Sequence, residues 1–329
     1  MATYRFKNGE INYDFVGKPG QPTIVFINGL TQRIQHWKYY RDHLNGLGYN
    51  VLLFDLMGQG ASTKPTLFID FRDNQKVLSG LLDHLNLDKV YIAGVSFGGV
   101  VTLRFAIEYP ERTKGILPMS TFSEMDTLLY TKGTTLFEGM VKAGFEYLIK
   151  LFTMFNFSAD WMDKNQEKLP TLVRSSFSYN DLYGIQNMME SLNNFKGFTP
   201  DLKDIKAPTL IMNGEYDYLT PRSCHETLRK HIKNSRLLLM QHVCHAFTIE
   251  IPEITCRMID YFIKAVEGEN WEGDQSVWIA TDDPESEKLM YPCEGDYLRA
   301  IPVPKVIEED EEADEEVNEE NIQKEGEAG

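Results

Sequence analysis

The chain has 329 residues, 42 % hydrophobic and 25 % charged, with a formal net charge of −16. That composition excludes a fully disordered chain, a collagen-like fibre and a disulfide scaffold, and it supplies enough apolar material for a large core. The acidic balance argues against a nucleic-acid partner, because phosphates are met by a basic face.

In chain order, Tyr4–Lys7 and Ile11–Val16 flank Asn8-Gly9 and read as a hairpin. Thr23–Ile27, Val51–Phe54, Val90–Ala93 and Lys114–Met119 are short continuous apolar runs, the pattern of strands buried on both faces. Helical spacing falls between them, over His36–Leu47, Asp70–Leu85 and the stretch from Gly98 to Tyr109. Strands alternating with helices predict a mostly parallel sheet covered on both sides. The alternation stops after residue 120 and resumes with Thr209–Met212 (strand), Pro221–Ile232 (helix), Leu237–Met240 (strand) and Pro252–Val266 (helix). The expected organisation is therefore a core in two parts, 1–120 and 201–267, with a helical insertion at 121–200. Residues 268–307 form an extension with no assigned role, and 308–329 an acidic disordered tail. That tail holds twelve acids against Lys324 and accounts for −11 of the charge, so the acidity says little about the substrate. It is also a candidate docking segment for a basic partner.

The four cysteines, Cys224, Cys244, Cys256 and Cys293, match no zinc spacing and no CxxC, so no metal is expected. No apolar leader or run of about 18 apolar residues occurs, which predicts a cytoplasmic protein without a membrane span.

Gly94-Val95-Ser96-Phe97-Gly98 is a G-x-S-x-G pattern between a predicted strand and a predicted helix. A sharp strand-to-helix turn needs small residues two positions either side of its centre, here Gly94 and Gly98, and it lifts a serine hydroxyl above the sheet. A hydroxyl needs a base. His245, on the loop after Leu237–Met240 and leading into the last helix, is favoured over His242 on the same loop. His225 and His231 share one helix and read as solvated surface. The base needs an acid to fix its tautomer. Asp217, three residues beyond Gly214 after the strand Thr209–Met212, takes that place, with Glu215 as its neighbouring competitor. Two backbone N–H groups should receive the oxyanion, Phe97 at the helix start and Leu30 in the Asn28-Gly29-Leu30 loop.

These residues, together with Asp55-Leu56-Met57-Gly58-Gln59-Gly60-Ala61-Ser62, resemble the α/β-hydrolase superfamily over residues 10–267. The resemblance implies an eight-stranded, mostly parallel sheet with a helical cap inserted after the sixth strand, and a serine hydrolase without a cofactor. Serine at the elbow sets the chain apart from the dehalogenase and epoxide-hydrolase branches, which carry Asp there. Two departures stand out. Asn28-Gly29 replaces the frequent His-Gly and is similar to 3-hydroxyacyl-carrier-protein transacylases. Val243-Cys244-His245 replaces Gly-x-Gly-His. The expected reaction is acyl transfer from a small-molecule carboxylic ester or thioester to water through an acyl-enzyme on Ser96. The alternatives are transfer to another acceptor, a non-catalytic receptor or scaffold on the same fold, and other chemistry on this fold such as C–C bond hydrolysis. The apolar insertion, with Leu136, Phe137, Met140, Phe145, Phe152 and Phe155, reads first as packing and second as the lining of an acyl pocket.

Overall fold

The computed structural model describes residues 2–65, 69–193, 195, 197–280 and 290–293. The acidic run 308–329 and most of 281–307 lie outside the described residues.

Among the described residues ten strands form one sheet: β1 (Ala2–Phe6), β2 (Gly9–Val16), β3 (Thr23–Ile27), β4 (Asn50–Phe54), β5 (Val90–Val95), β6 (Thr113–Met119), β7 (Thr209–Gly214), β8 (Ser235–Met240), β9 (Asp274–Ala280) and β10 (Met290–Cys293). The spatial order is β1-β2-β4-β3-β5-β6-β7-β8-β9-β10. The run from β4 to β9 is parallel, while β1, β2 and β10 pair antiparallel. The two hairpin strands and the six further strands legible in the sequence are all present, and β9 and β10 extend the sheet beyond the expected eight, from the region left without an assigned role. The hairpin turn falls one residue earlier than Asn8-Gly9. Phe6 pairs with Gly9, so Lys7 and Asn8 make the turn, with Lys7 at φ 50°.

The helices are α1 (Lys38–Gly46), α2 (Asp73–His84), α3 (Phe97–Glu108), α4 (Thr127–Ala143), α5 (Phe145–Asn156), α6 (Ala159–Lys164), α7 (Leu169–Tyr179), α8 (Leu182–Asn193), α9 (Arg222–His231), α10 (Phe247–Glu250) and α11 (Pro252–Glu267). Every residue of β3, β4, β5, β7 and β8 is buried, as expected of strands covered on both faces. One core packs α2, α3 and α9 on one face through Leu78, Val100 and Leu228. A second packs α1 and α11 on the other through Leu44, Ile259 and Phe262. Helices α4 to α8 lie between β6 and β7 in the chain. They hold a smaller core of their own, Leu136, Met140, Leu148, Phe152, Ile185 and Met189, which Leu219 from the loop after β7 joins.

The strand order reverses beside β3, which sits between β4 and β5. Open parallel sheets bind ligands outside the carboxyl ends of the strands at such a reversal. The loops after β3, β5, β6, β7 and β8 all emerge at that end.

Candidate active site

A single residue turns the chain from β5 into α3. Ser96 sits at φ 53°, ψ −114°. A non-glycine residue in that region costs on the order of 1–3 kcal/mol and persists only where its surroundings enforce it. The flanking glycines make the turn possible. A Cβ on Gly94 would lie 2.2 Å from the Gly98 carbonyl oxygen, and one on Gly98 would lie 2.3 Å from that of Ile27. The Ser96 N–H donates to the Met119 carbonyl at 2.8 Å, tying the elbow to β6.

His245 follows β8 and is buried, with Asp217 Oδ2 2.9 Å from its Nδ1. An ionised carboxylate only accepts, so Nδ1 carries the proton and Nε2 is left with its lone pair. Asp217 Oδ2 also accepts from Thr220 Oγ1 at 2.8 Å and Asn213 Nδ2 at 3.1 Å, and Oδ1 accepts from the Thr220 N–H at 2.9 Å. Burial by itself would push the Asp217 carboxyl up. Attraction to the His245 ring in its protonated form, and the hydrogen bonds Asp217 receives, outweigh burial and hold it below the usual carboxylate range. The two competitors meet each other instead: the N–H of the exposed His242 donates to Glu215 Oε2 at 3.1 Å, away from Asp217.

The Leu30 and Phe97 N–H groups have no protein acceptor among the described residues. Phe97 opens α3, where the first N–H groups have no intrahelical partner. The Leu30 loop is braced from behind. Gln59 Nε2 donates to the carbonyls of Gly29 at 2.7 Å and Leu30 at 3.1 Å. Asn28 points inward, donating to the Phe54 carbonyl and Gln59 Oε1 at 3.1 Å each and accepting from Trp37 Nε1 at 2.8 Å. Its substitution for histidine thus serves a buried network and leaves the loop's N–H groups untouched. Asp55 joins that network by accepting from the Ile34 N–H at 2.9 Å and the Ala61 N–H at 3.0 Å. Gly60, at φ 45°, passes so close that a Cβ would lie 2.2 Å from Asp55 Oδ2. This explains the Asp55–Ser62 pattern physically.

Several residues at the site escaped the sequence reading. Thr220 bridges Asp217 and His245, its Oγ1 2.8 Å from Asp217 Oδ2 and 3.2 Å from His245 Nδ1. Glu250 accepts from the Cys244 N–H at 2.8 Å and the Ser158 N–H at 3.1 Å, joining the His245 loop to the start of α6; burial raises its carboxyl. His225 is not solvated surface but fully buried. Its Nε2 accepts the Thr121 N–H at 2.9 Å, and burial pushes the imidazole down to about 4. The available signal was helical spacing, because His225, Leu228 and Ile232 recur on one face.

Ser96 lines two cavities. One, about 210 Å³, is bounded by His245, Ala246, Gln32, His36, Asn156 and Tyr179. The other, about 90 Å³, is bounded by apolar groups that include Phe97, Phe122, Leu129, Leu136 and Met189. Leu30, Phe152 and Leu219 line both. Among the described residues no three of His, Cys, Asp and Glu gather to hold a metal. Cys224, Cys244 and Cys256 are free thiols, and burial pushes each up to about 12. No helix of the described residues is long and apolar enough to cross a membrane.

A parallel sheet with a serine elbow at β5, an acid after β7 and a histidine after β8 defines the α/β-hydrolase class. The chain belongs to that family: residues 22–252 match the α/β-hydrolase fold. Curated relatives are hydrolases. A 2-hydroxy-6-oxononadienedioate/2-hydroxy-6-oxononatrienedioate hydrolase from Paraburkholderia phymatum is 29 % identical over 227 residues, 64 % of this chain and 76 % of that protein. One from Pseudomonas putida is 28 % identical over 280 residues, 79 % of this chain and 95 % of that protein. Among solved structures, the enol-lactonase from Burkholderia xenovorans LB400 superposes with a TM-score of 0.73 at 20 % identity, covering 80 % of this chain and all of that one.

Proposed function

We propose that the protein is a serine hydrolase that cleaves a carboxylic ester or thioester of a small or medium acyl chain through an acyl-enzyme on Ser96. The observation that carries this reading is that the strained Ser96 and the Asp217-oriented His245 line one cavity. His245 Nε2 takes the Ser96 proton, Oγ attacks the carbonyl carbon, and the Leu30 and Phe97 N–H groups receive the developing oxyanion. Asp217 stabilises the imidazolium. His245 then protonates the leaving group, the acyl-enzyme remains, and the same histidine activates the water that releases the acid.

This proton path assigns the cavities. The leaving group must lie within reach of His245, so it occupies the larger, more polar lobe that His245 lines. The acyl chain takes the apolar lobe, which is also where water is least welcome. The hydrolase relatives support a hydrolase reading.

The test is a pre-steady-state time course on p-nitrophenyl butyrate and octanoate, with Ser96→Ala beside the wild type. A Ser96-dependent burst followed by steady turnover is expected, with acetate a poorer substrate than butyrate. A burst with almost no turnover would replace hydrolysis by transfer to another acceptor. A rate unchanged in Ser96→Ala would overturn the reading.

A further inference from the structure

The two residues that follow β6 touch both catalytic loops at once. Ser120 Oγ donates to the His245 carbonyl at 2.9 Å. Thr121 Oγ1 donates to the Ser96 carbonyl at 2.7 Å. Adjacent hydroxyls therefore hold the base from one side and the nucleophile from the other, across sequence separations of 125 and 25 residues. Both residues are fully buried. Ser120 lies at φ 44°, a left-handed conformation for a residue with a side chain. Such a residue persists only where something over-determines it. Here its N–H is held by the Met212 carbonyl at 2.9 Å and its hydroxyl by the His245 loop.

Thr121 is fixed in turn. The buried His225 accepts its N–H, and its side chain fills the space against Gly99 on α3, where a Cβ would lie 2.5 Å from the Thr121 Cβ. His225 Nδ1 lies 3.2 Å from the Pro221 carbonyl, which can only accept. Nδ1 therefore carries the proton and Nε2 is the acceptor that Thr121 needs. The charged and titratable neighbours of His225 are Asp217, His245 and Glu226. A neutral ring there leaves the Asp217 charge to His245 alone.

We infer that Ser120 and Thr121, seated by His225, form a crossbar that sets the spacing between Ser96 and His245. The three are positioning residues, since none lines either cavity at Ser96. The inference rests on Ser96 and His245 being the nucleophile and base proposed above. It adds what keeps two separately suspended loops in register when neither is bonded to the other through secondary structure.

The test reads Ser96 reactivity directly, as the rate at which a fluorophosphonate labels the full-length protein, together with the amplitude and rate of the p-nitrophenyl butyrate burst. Ser120→Ala and Thr121→Val should each slow labelling and the burst by about tenfold at unchanged burst amplitude and KM. Thr121→Ser, which keeps the hydroxyl, should stay within about threefold, and His225→Gln, which keeps an acceptor, should outperform His225→Leu. The double variant should lose less than the product of the single losses, because one device is broken twice. If Thr121→Val does not fold, Thr121→Ala carries the comparison. A fall in amplitude with an unchanged rate per active site would reduce the crossbar to fold maintenance and overturn the inference. Variants that label like the wild type would also overturn it, while leaving the hydrolase reading standing. A wild type that does not label at Ser96 would remove the hydrolase reading itself.

Discussion

Gly98→Ala tests the elbow where the structure is most explicit. The added Cβ would lie 2.3 Å from the Ile27 carbonyl oxygen and 2.7 Å from that of Asn28. Carbon and oxygen settle at about 3.3 Å or more, so α3 and the end of β3 must part by roughly 1 Å. Both neighbours are backbone, so no side chain can swing aside. The displaced segment runs straight into Gly29-Leu30, while Gly98 itself follows Phe97. The variant therefore spreads the two N–H groups proposed to hold the oxyanion. A misplacement of about 1 Å is worth about 100-fold in rate, and overpacking costs about 1–3 kcal/mol in stability. A drop in Tm of several degrees should accompany a loss in kcat/KM of about two orders of magnitude on p-nitrophenyl butyrate. Gly46→Ala is the control, since its Cβ would meet nothing within 4 Å. A folded Gly98→Ala protein within threefold of wild-type kcat/KM would refute the argument, because the close approach would then be irrelevant to the chemistry.

Asp217→Asn should lower kcat by about 10³–10⁴, since an amide can donate to Nδ1 and stabilise the wrong tautomer; a loss below tenfold would remove Asp217 as the acid. Gly133 borders the apolar lobe and has nothing within 4 Å of an added Cβ. Gly133→Leu should therefore cut octanoate turnover more than tenfold, leave acetate nearly unchanged and raise helix stability by about 1 kcal/mol, and equal losses on both esters would contradict the lobe assignment. His225 titrates near 4 when folded against an ordinary 6.5, so the unfolded chain binds the extra proton between those values. Its neutral form thus gives full stability above about pH 6.5, and as much as roughly 3 kcal/mol is lost as the pH falls towards 4. Wild-type Tm should then drop more steeply between pH 6.5 and 4.5 than that of His225→Gln, and parallel profiles would show that the buried imidazole titrates normally.

The sheet was legible because its strands are buried on both faces, and continuous runs such as Thr23–Ile27 have no other reading next to helical spacing. Strands β9 and β10 escaped that logic. In β9 only Val277 and Ala280 are buried, its register to β8 shifts near Ser235, and Gln275 at φ 59° breaks the strand's start. A half-exposed, irregular strand looks like loop. The residues proposed for chemistry could be picked out because a nucleophile elbow and the loops after β7 and β8 carry local signatures. What could not be read are the supports that act across the chain. Ser120 and Thr121 are unremarkable in sequence, and their partners lie on other loops. Asn28 looked like a change in the oxyanion loop, whereas its side chain faces Phe54, Gln59 and Trp37.

The two added strands also change what kind of strand carries the histidine loop. Without β9, β8 would be the border of the sheet, with a row of unpaired amides open to solvent or to another chain. With β9 paired along it, β8 is laddered on both sides, and among the described residues the border moves out to β10. The residues after the last long helix thus place the rim two strands away from His245 among the described residues.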